Sequence, residues 1–115
     1  MRRLILTTVV ALLMVALASG TAQADEGLAS WYGPGLYGNY TASGEVLTPY
    51  SYGVAHPYLP FGTEITVCYE TCAYNVPVID RGPYIYGREL DLTEAVAAEV
   101  GLTYAGVDYV GWWIE

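Results

Sequence analysis

Hydrophobic and polar positions change rhythm several times along this chain, and each change predicts an element. Leu4 to Leu17 is a predominantly apolar run. Leu28 to Tyr32 reads as a short strand stopped by Gly33, Pro34 and Gly35. From Leu36 to Gly53 the chain is rich in Gly, Tyr, Thr and Pro without a period, which predicts a long ordered loop. Glu64 to Tyr69 alternates polar and apolar residues, and Ala73 to Ile79 continues the pattern after a turn, so the two predict a β-hairpin. Pro77 places the second of these strands at an edge or a bulge, because proline donates nothing to a ladder. Thr93 can cap a short helix through Val100, with Glu94 in its first turn and Gly101 as its stop. Val107 to Ile114 predicts a last strand, with Trp112 and Trp113 divided between core and surface. Short strands, one helix and long glycine-rich connections fit a small closed β-barrel better than an open sheet with exposed edges.

The first run changes the account of the rest. Arg2 and Arg3 precede it and Ala22-Gln23-Ala24 follows it, the layout of a secretory signal peptide over residues 1–24. Its 14 residues fall short of the roughly 20 that span a bilayer. Cleavage after Ala24 would leave one domain, residues 25–115, with no stable membrane anchor. No cysteine follows the run to accept a lipid, so a secreted or otherwise extracytoplasmic protein is expected.

Charge narrows the partners. The 115 residues carry 4 basic and 12 acidic side chains, and beyond residue 24 only Arg81 and Arg88 remain against all twelve acids. Such a surface repels phosphates, so no nucleic acid is expected as a partner. Binding must rest on shape, hydrogen bonds and aromatic contact, and 12 Tyr with 3 Trp supply the rings. Cys68 and Cys72 are separated by three residues in an exported chain, which suits one disulfide across a tight turn. A metal pair or a reactive thiol is the competing reading, but His56 is the only imidazole available as a further ligand. No metal cluster or phosphate loop is legible, so neither metal nor cofactor is expected.

Two carboxylates stand where loops would hold them. Glu45 follows the Thr41-Ala42-Ser43-Gly44 turn, and Asp80 follows the apolar run Val76 to Ile79 just before Arg81-Gly82-Pro83. Asp80 therefore leaves the core where a general acid would be placed. Arg81 could pair with it, yet neighbours on a strand point to opposite faces, and Glu89 or Asp91 could equally take that guanidinium. Bland readings compete: Asp80 as the cap of a turn, Glu45 as a solvated carboxylate, His56 as a loop donor. Serine or cysteine nucleophile chemistry lacks its sequence context.

The order of short blocks resembles the rare lipoprotein A family, the double-psi β-barrel lytic transglycosylases of bacterial cell walls. The blocks are Gly27-Leu28-Ala29-Ser30-Trp31-Tyr32-Gly33, Thr41-Ala42-Ser43-Gly44-Glu45, Val54-Ala55-His56-Pro57, Leu59-Pro60-Phe61-Gly62-Thr63, Val78-Ile79-Asp80-Arg81-Gly82-Pro83-Tyr84 and Gly87-Arg88-Glu89-Leu90-Asp91-Leu92. The likeness covers residues 27 to about 114. The resemblance implies an all-β fold with one short helix, a six-stranded double-psi β-barrel. It also implies endolytic, non-hydrolytic cleavage of the β-1,4 bond between N-acetylmuramic acid and N-acetylglucosamine in peptidoglycan glycan strands.

In that family's terms Asp80 acts as acid and then base, Glu45 stabilises charge or positions the sugar, and His56 hydrogen-bonds one of them. Trp31, Tyr32, Tyr40, Tyr84 and Arg81 are the expected substrate contacts. Val46-Leu47-Thr48 after Glu45, and Tyr52-Gly53-Val54-Ala55 before His56, depart from the usual pattern near the substrate loop. The same barrel also carries non-catalytic wall-polysaccharide binding, as in expansin-like modules, and secreted protease inhibition, so those are the alternative functions.

Overall fold

The computed structural model describes residues 25–115; the expected signal peptide lies outside the described residues. Six strands and one helix follow in the order β1 (Asp25–Tyr32), β2 (Val54–Ala55), β3 (Glu64–Cys68), β4 (Cys72–Asp80), β5 (Arg88–Thr93), α1 (Glu94–Val100) and β6 (Val107–Ile114). They close into a barrel with neighbours β1-β5-β2-β4-β3-β6. The β1–β5 and β2–β4 pairs are parallel and the other four antiparallel, so the wall is mixed. The expected all-β barrel with a single short helix is the fold observed.

Alternation explains most of the wall. Ala29, Val54, Ile65, Val67, Val76, Val78, Leu90, Leu92, Val110 and Trp112 point inward and form one core with Val96, Ala97, Val100 and Leu102. The helix starts where Thr93 Oγ1 accepts from the Val96 amide and stops at Gly101, whose φ of 91° suits glycine. Its apolar face closes the barrel on that side.

The β3–β4 hairpin is present, with Cys68 and Cys72 in register across it and joined by a disulfide. The residue-level reading of four strands missed β2 and β5. Pro77 lies on no edge, because β4 pairs on both sides. The amide of the next residue, Val78, donates to Thr63 on the β3 side. Alternation turns the Pro77 nitrogen toward β2, which is only two residues long and asks for no donor there.

The stretch from 36 to 53 is the expected ordered loop. It contains a small antiparallel bridge between Tyr40 and Val46, held by reciprocal bonds around Asn39 and Leu47.

Candidate active site

The wall's register assembles the site. Ser30 of β1 pairs with Asp91 of β5, Asp91 with Ala55 of β2, and Ala55 with Asp80 of β4. Partners across neighbouring strands share a face. Leu90 and Leu92 point into the core, so Asp91 between them faces outward, and the row lies on the outer side of the wall.

Strict alternation from the inward Val78 would turn Asp80 inward too. A one-residue shift between Val54 and Ala55 leaves Ile79 as the extra residue and re-aims Asp80 onto the outer face. Two strand spacings put the Asp80 and Asp91 backbones about 10 Å apart, with only the Ala55 methyl between them.

Asp80 is held by three donors. Its Oδ1 accepts from the Ala42 amide at 2.8 Å and the Arg81 amide at 2.9 Å. Its Oδ2 accepts from the Tyr32 hydroxyl at 3.1 Å. The Ala42 contact needs the Thr41-Ala42-Ser43-Gly44-Glu45 turn, which Gly44 allows with a φ of 99° and which docks on β4 through the Ser43 amide and the Ile79 carbonyl. Burial first, and then the charge of Asp80, push the Tyr32 phenol well above its ordinary range, with smaller contributions from Asp91 and Glu45. Tyr32 therefore stays a donor at any working pH, and all three carboxylates lie within electrostatic reach of its hydroxyl. The turn that ends at Glu45 thus docks on Asp80 through the Ala42 amide.

Asp91 and its neighbours Ser30 and Arg88 were not singled out as site residues. The Ser30 hydroxyl donates to Asp91 Oδ1 at 3.0 Å, and Arg88 Nη1 approaches Ser30 Oγ at 3.4 Å. Burial raises Asp91 above its ordinary value of 3.8; the Ser30 hydroxyl and the Arg88 charge oppose it, and the Asp80 charge adds to it. The readable signal for Asp91 was its alternation with Leu90 and Leu92, whereas Arg88 shares the parity of those leucines and lies where the register with β1 shifts.

The other expected residues take different places. His56 is buried, and its Nδ1 accepts from the Tyr58 and Leu59 amides, both at 3.2 Å. No hydrogen bond joins its ring to either carboxylate among the described residues. Burial, and then the charge of Arg81, hold this imidazole below its ordinary 6.5 against an opposing pull from Glu89. A neutral ring accepting at Nδ1 shapes the 56–59 turn.

Arg81 turns away from Asp80, Glu89 and Asp91 alike. Its Nη1 donates to the carbonyls of Leu59 at 2.8 Å and His56 at 3.3 Å, and its guanidinium lies 4.0 Å from the Phe61 ring centre. Trp31 packs against the core, with its indole donating to the Thr103 carbonyl, on the opposite face from Ser30 and Tyr32. Tyr40 and Tyr84 are exposed on the loops beside Glu45 and Gly82, free to stack on a ligand. A cleft of about 360 Å³ lined by His56, Pro57, Tyr58, Arg88, Glu89 and Trp112 adjoins the row through Arg88. Among the described residues no group of three His, Cys, Asp or Glu is placed to hold a metal.

Comparison with known proteins agrees with this architecture. Residues 24–112 match the family model described as lytic transglycolase. A probable endolytic peptidoglycan transglycosylase RlpA of Aquifex aeolicus is 46% identical over 83 residues, 70% of this chain and 37% of that protein. Its counterpart in Synechocystis is 42% identical over 86 residues, 73% of this chain and 27% of that protein. The endolytic peptidoglycan transglycosylase RlpA of Campylobacter jejuni is 35% identical over 83 residues, 70% of this chain and 30% of that protein. The chain thus spans about a third of the length of these curated relatives. Among solved structures, the Streptomyces papain inhibitor shares the fold with a TM-score of 0.64 at 24% identity, over 80% of this chain and 94% of the inhibitor. With nearly all its described residues inside one family match and its six strands closed as that family's barrel, the chain belongs to the lytic transglycolase family of double-psi β-barrels.

Proposed function

We propose that this protein is an extracytoplasmic lytic transglycosylase that cleaves peptidoglycan glycan strands internally. It breaks the β-1,4 bond between N-acetylmuramic acid and N-acetylglucosamine without water and leaves 1,6-anhydro-muramic ends. The observation that carries this reading is the row of Ser30, Asp91, Ala55 and Asp80 on one outer face, with the Tyr32 hydroxyl donating to Asp80.

Glycosidic cleavage needs a proton for the leaving oxygen and negative charge beside the cation-like sugar, and paired carboxylates supply both. Exposed Tyr40, Tyr58 and Tyr84 offer rings for the apolar faces of neighbouring sugars. Arg81 and His56 act at one remove in this reading: they fix the 56–61 segment that borders the row.

The test is digestion of purified peptidoglycan followed by mass spectrometry of the fragments. Anhydro-muramic ends formed by the wild type and lost in Asp80→Asn and Glu45→Gln support the reading. Reducing ends would mean hydrolysis. Retained glycan binding without turnover would mean a binding module.

A further inference from the structure

His56 holds one polar atom that the fold does not use. Its side chain is 4% exposed, and its Nδ1 accepts from the Tyr58 and Leu59 amides. A neutral imidazole that accepts at Nδ1 carries its proton on Nε2. That N–H meets no acceptor among the described residues, and a buried donor left unmet is unfavourable until a ligand or water takes it. The ring lines the cleft of about 360 Å³ that adjoins the carboxylate row, so the donor has a place to be met.

The rest of the lining says what would meet it. Trp112 and Tyr58 stand edge-to-face with the imidazole, ring centres 5.6 Å and 4.6 Å away, and give the cleft apolar walls. Glu89 Oε1 accepts from the Trp112 indole at 2.9 Å, and its Oε2 receives no hydrogen bond among the described residues. A side chain at Gly27 would collide with this carboxylate, so the glycine is what lets it sit there. The Glu89 charge reaches the His56 ring, which puts one free donor and one free acceptor on the same cleft.

Arg88 borders that cleft as well, so the lining carries one charge of each sign. A carboxylate entering it would face Glu89, and an ammonium would face Arg88. A hydroxyl holds its donor and acceptor on one atom and brings no apolar surface to the rings. A secondary amide holds them on two atoms, and an acetyl amide adds a methyl.

We infer that the cleft is an acetamido pocket: it takes the 2-acetamido group of a glycan sugar, whose carbonyl accepts from His56 Nε2, whose N–H donates to Glu89 Oε2 and whose methyl packs on Trp112 and Tyr58. This rests on the glycan-cleaving reading and deepens it, placing selection for N-acetylated strands in a cleft apart from Asp80. His56 then works from two atoms, with Nδ1 holding the 56–59 turn and Nε2 meeting the sugar. A stem peptide offers the same amide chemistry, so the test separates the two sources.

The probe is the β-1,4 tetramer of N-acetylglucosamine. Its controls are the β-1,4 tetramer of glucose, a sugar without the amide, and N-acetylalanine N-methylamide, an amide without the sugar. The chain has one histidine, so its Nε2–H gives a single correlation in an imidazole proton–nitrogen NMR spectrum of the folded protein. The N-acetylated tetramer is expected to shift that signal, and neither control is. Glu89→Gln keeps an acceptor for the Trp112 indole but turns the outer atom into a donor. It should narrow the preference for the N-acetylated over the glucose tetramer by about 2- to 10-fold, with a thermal melt establishing that the variant is folded.

An Nε2–H signal that stays in place while the Ala42 and Arg81 amides move, or one that moves equally with the glucose tetramer, would overturn the pocket and leave the transglycosylase reading intact. Movement with the alanine amide would give the cleft to the stem peptide instead. A proton found on Nδ1, or no shift anywhere with the N-acetylated tetramer, would also overturn the pocket. The expected shift in a protein that forms no anhydro ends on peptidoglycan would uphold the pocket and remove the transglycosylase reading.

Discussion

Carboxylates in two regions of this barrel show what surroundings do to one functional group. At the end of β6, Glu115 Oε2 accepts from the Thr66 hydroxyl and the Asn75 amide, both at 2.7 Å, and Oε1 accepts from the Asn75 side chain at 2.6 Å. The Asn75 amide contributes most in holding Glu115 below its ordinary 4.5. Asp108 accepts from the Tyr69 hydroxyl at 2.6 Å and the Tyr109 amide at 2.7 Å and is held below 3.8, with Tyr69 the larger cause. These acids are anchors: Glu115 ties the β4 kink at Asn75, where φ is 55°, to the end of β6.

Asp91 differs in being set into the wall with a single hydroxyl on it, and burial raises it. The lesson is that donors to an exposed carboxylate favour its ionised form, while burial in the wall favours the protonated one. The acidic composition alone distinguishes neither.

Predictions that break or sharpen this contrast can be ordered by size. The largest is in turnover: Asp80→Asn should lose about 10²- to 10⁴-fold in anhydro-end formation, whereas Glu115→Gln should keep the wild-type rate. Next is the wall itself. Leu92, fully buried beside Asp91, should cost about 2–5 kcal/mol of unfolding free energy in urea when truncated to alanine. Arg81→Met leaves the His56 and Leu59 carbonyls without their donor and should cost about 1–3 kcal/mol, measured the same way.

The smallest effect is one of sign. Asp91 is raised on folding, so its contribution to stability is present below pH 3.8 and is lost as pH rises through its higher folded value. Glu115 is lowered, so its contribution is present above pH 4.5 and is lost as pH falls through its lower folded value. At neutral pH, therefore, Asp91→Asn should melt above the wild type and Glu115→Gln below it, and both differences should shrink in acid.

Local chemistry was readable in the sequence. Thr93 and Gly101 bracket the helix, and the alternation on either side of Cys68 and Cys72 marks the hairpin. Glu45 and Asp80 follow turn sequences that aim a carboxylate, and Asp80 takes the Tyr32 hydroxyl. What stayed hidden depends on pairing between distant segments. β2 has two residues and no pattern of its own; it is a strand because Val54 and Ala55 lie between β5 and β4.

Asp91 alternates with core leucines like any outward polar residue, and only its register opposite Ser30, 61 positions away, shows its surroundings. The bulge that re-aims Asp80 is equally a matter of register. Backbone amides of the 56–59 turn donate to His56 Nδ1 and its carbonyls accept from Arg81 Nη1, contacts that composition does not reveal.

The most direct test of the contrast is a carboxyl-carbon NMR titration following Asp91 and Glu115 in the same sample. An Asp91 midpoint above 3.8 with a Glu115 midpoint below 4.5 is the predicted result. An Asp91 that titrates at or below 3.8 would contradict the account, because the wall would then not be making an acid of it.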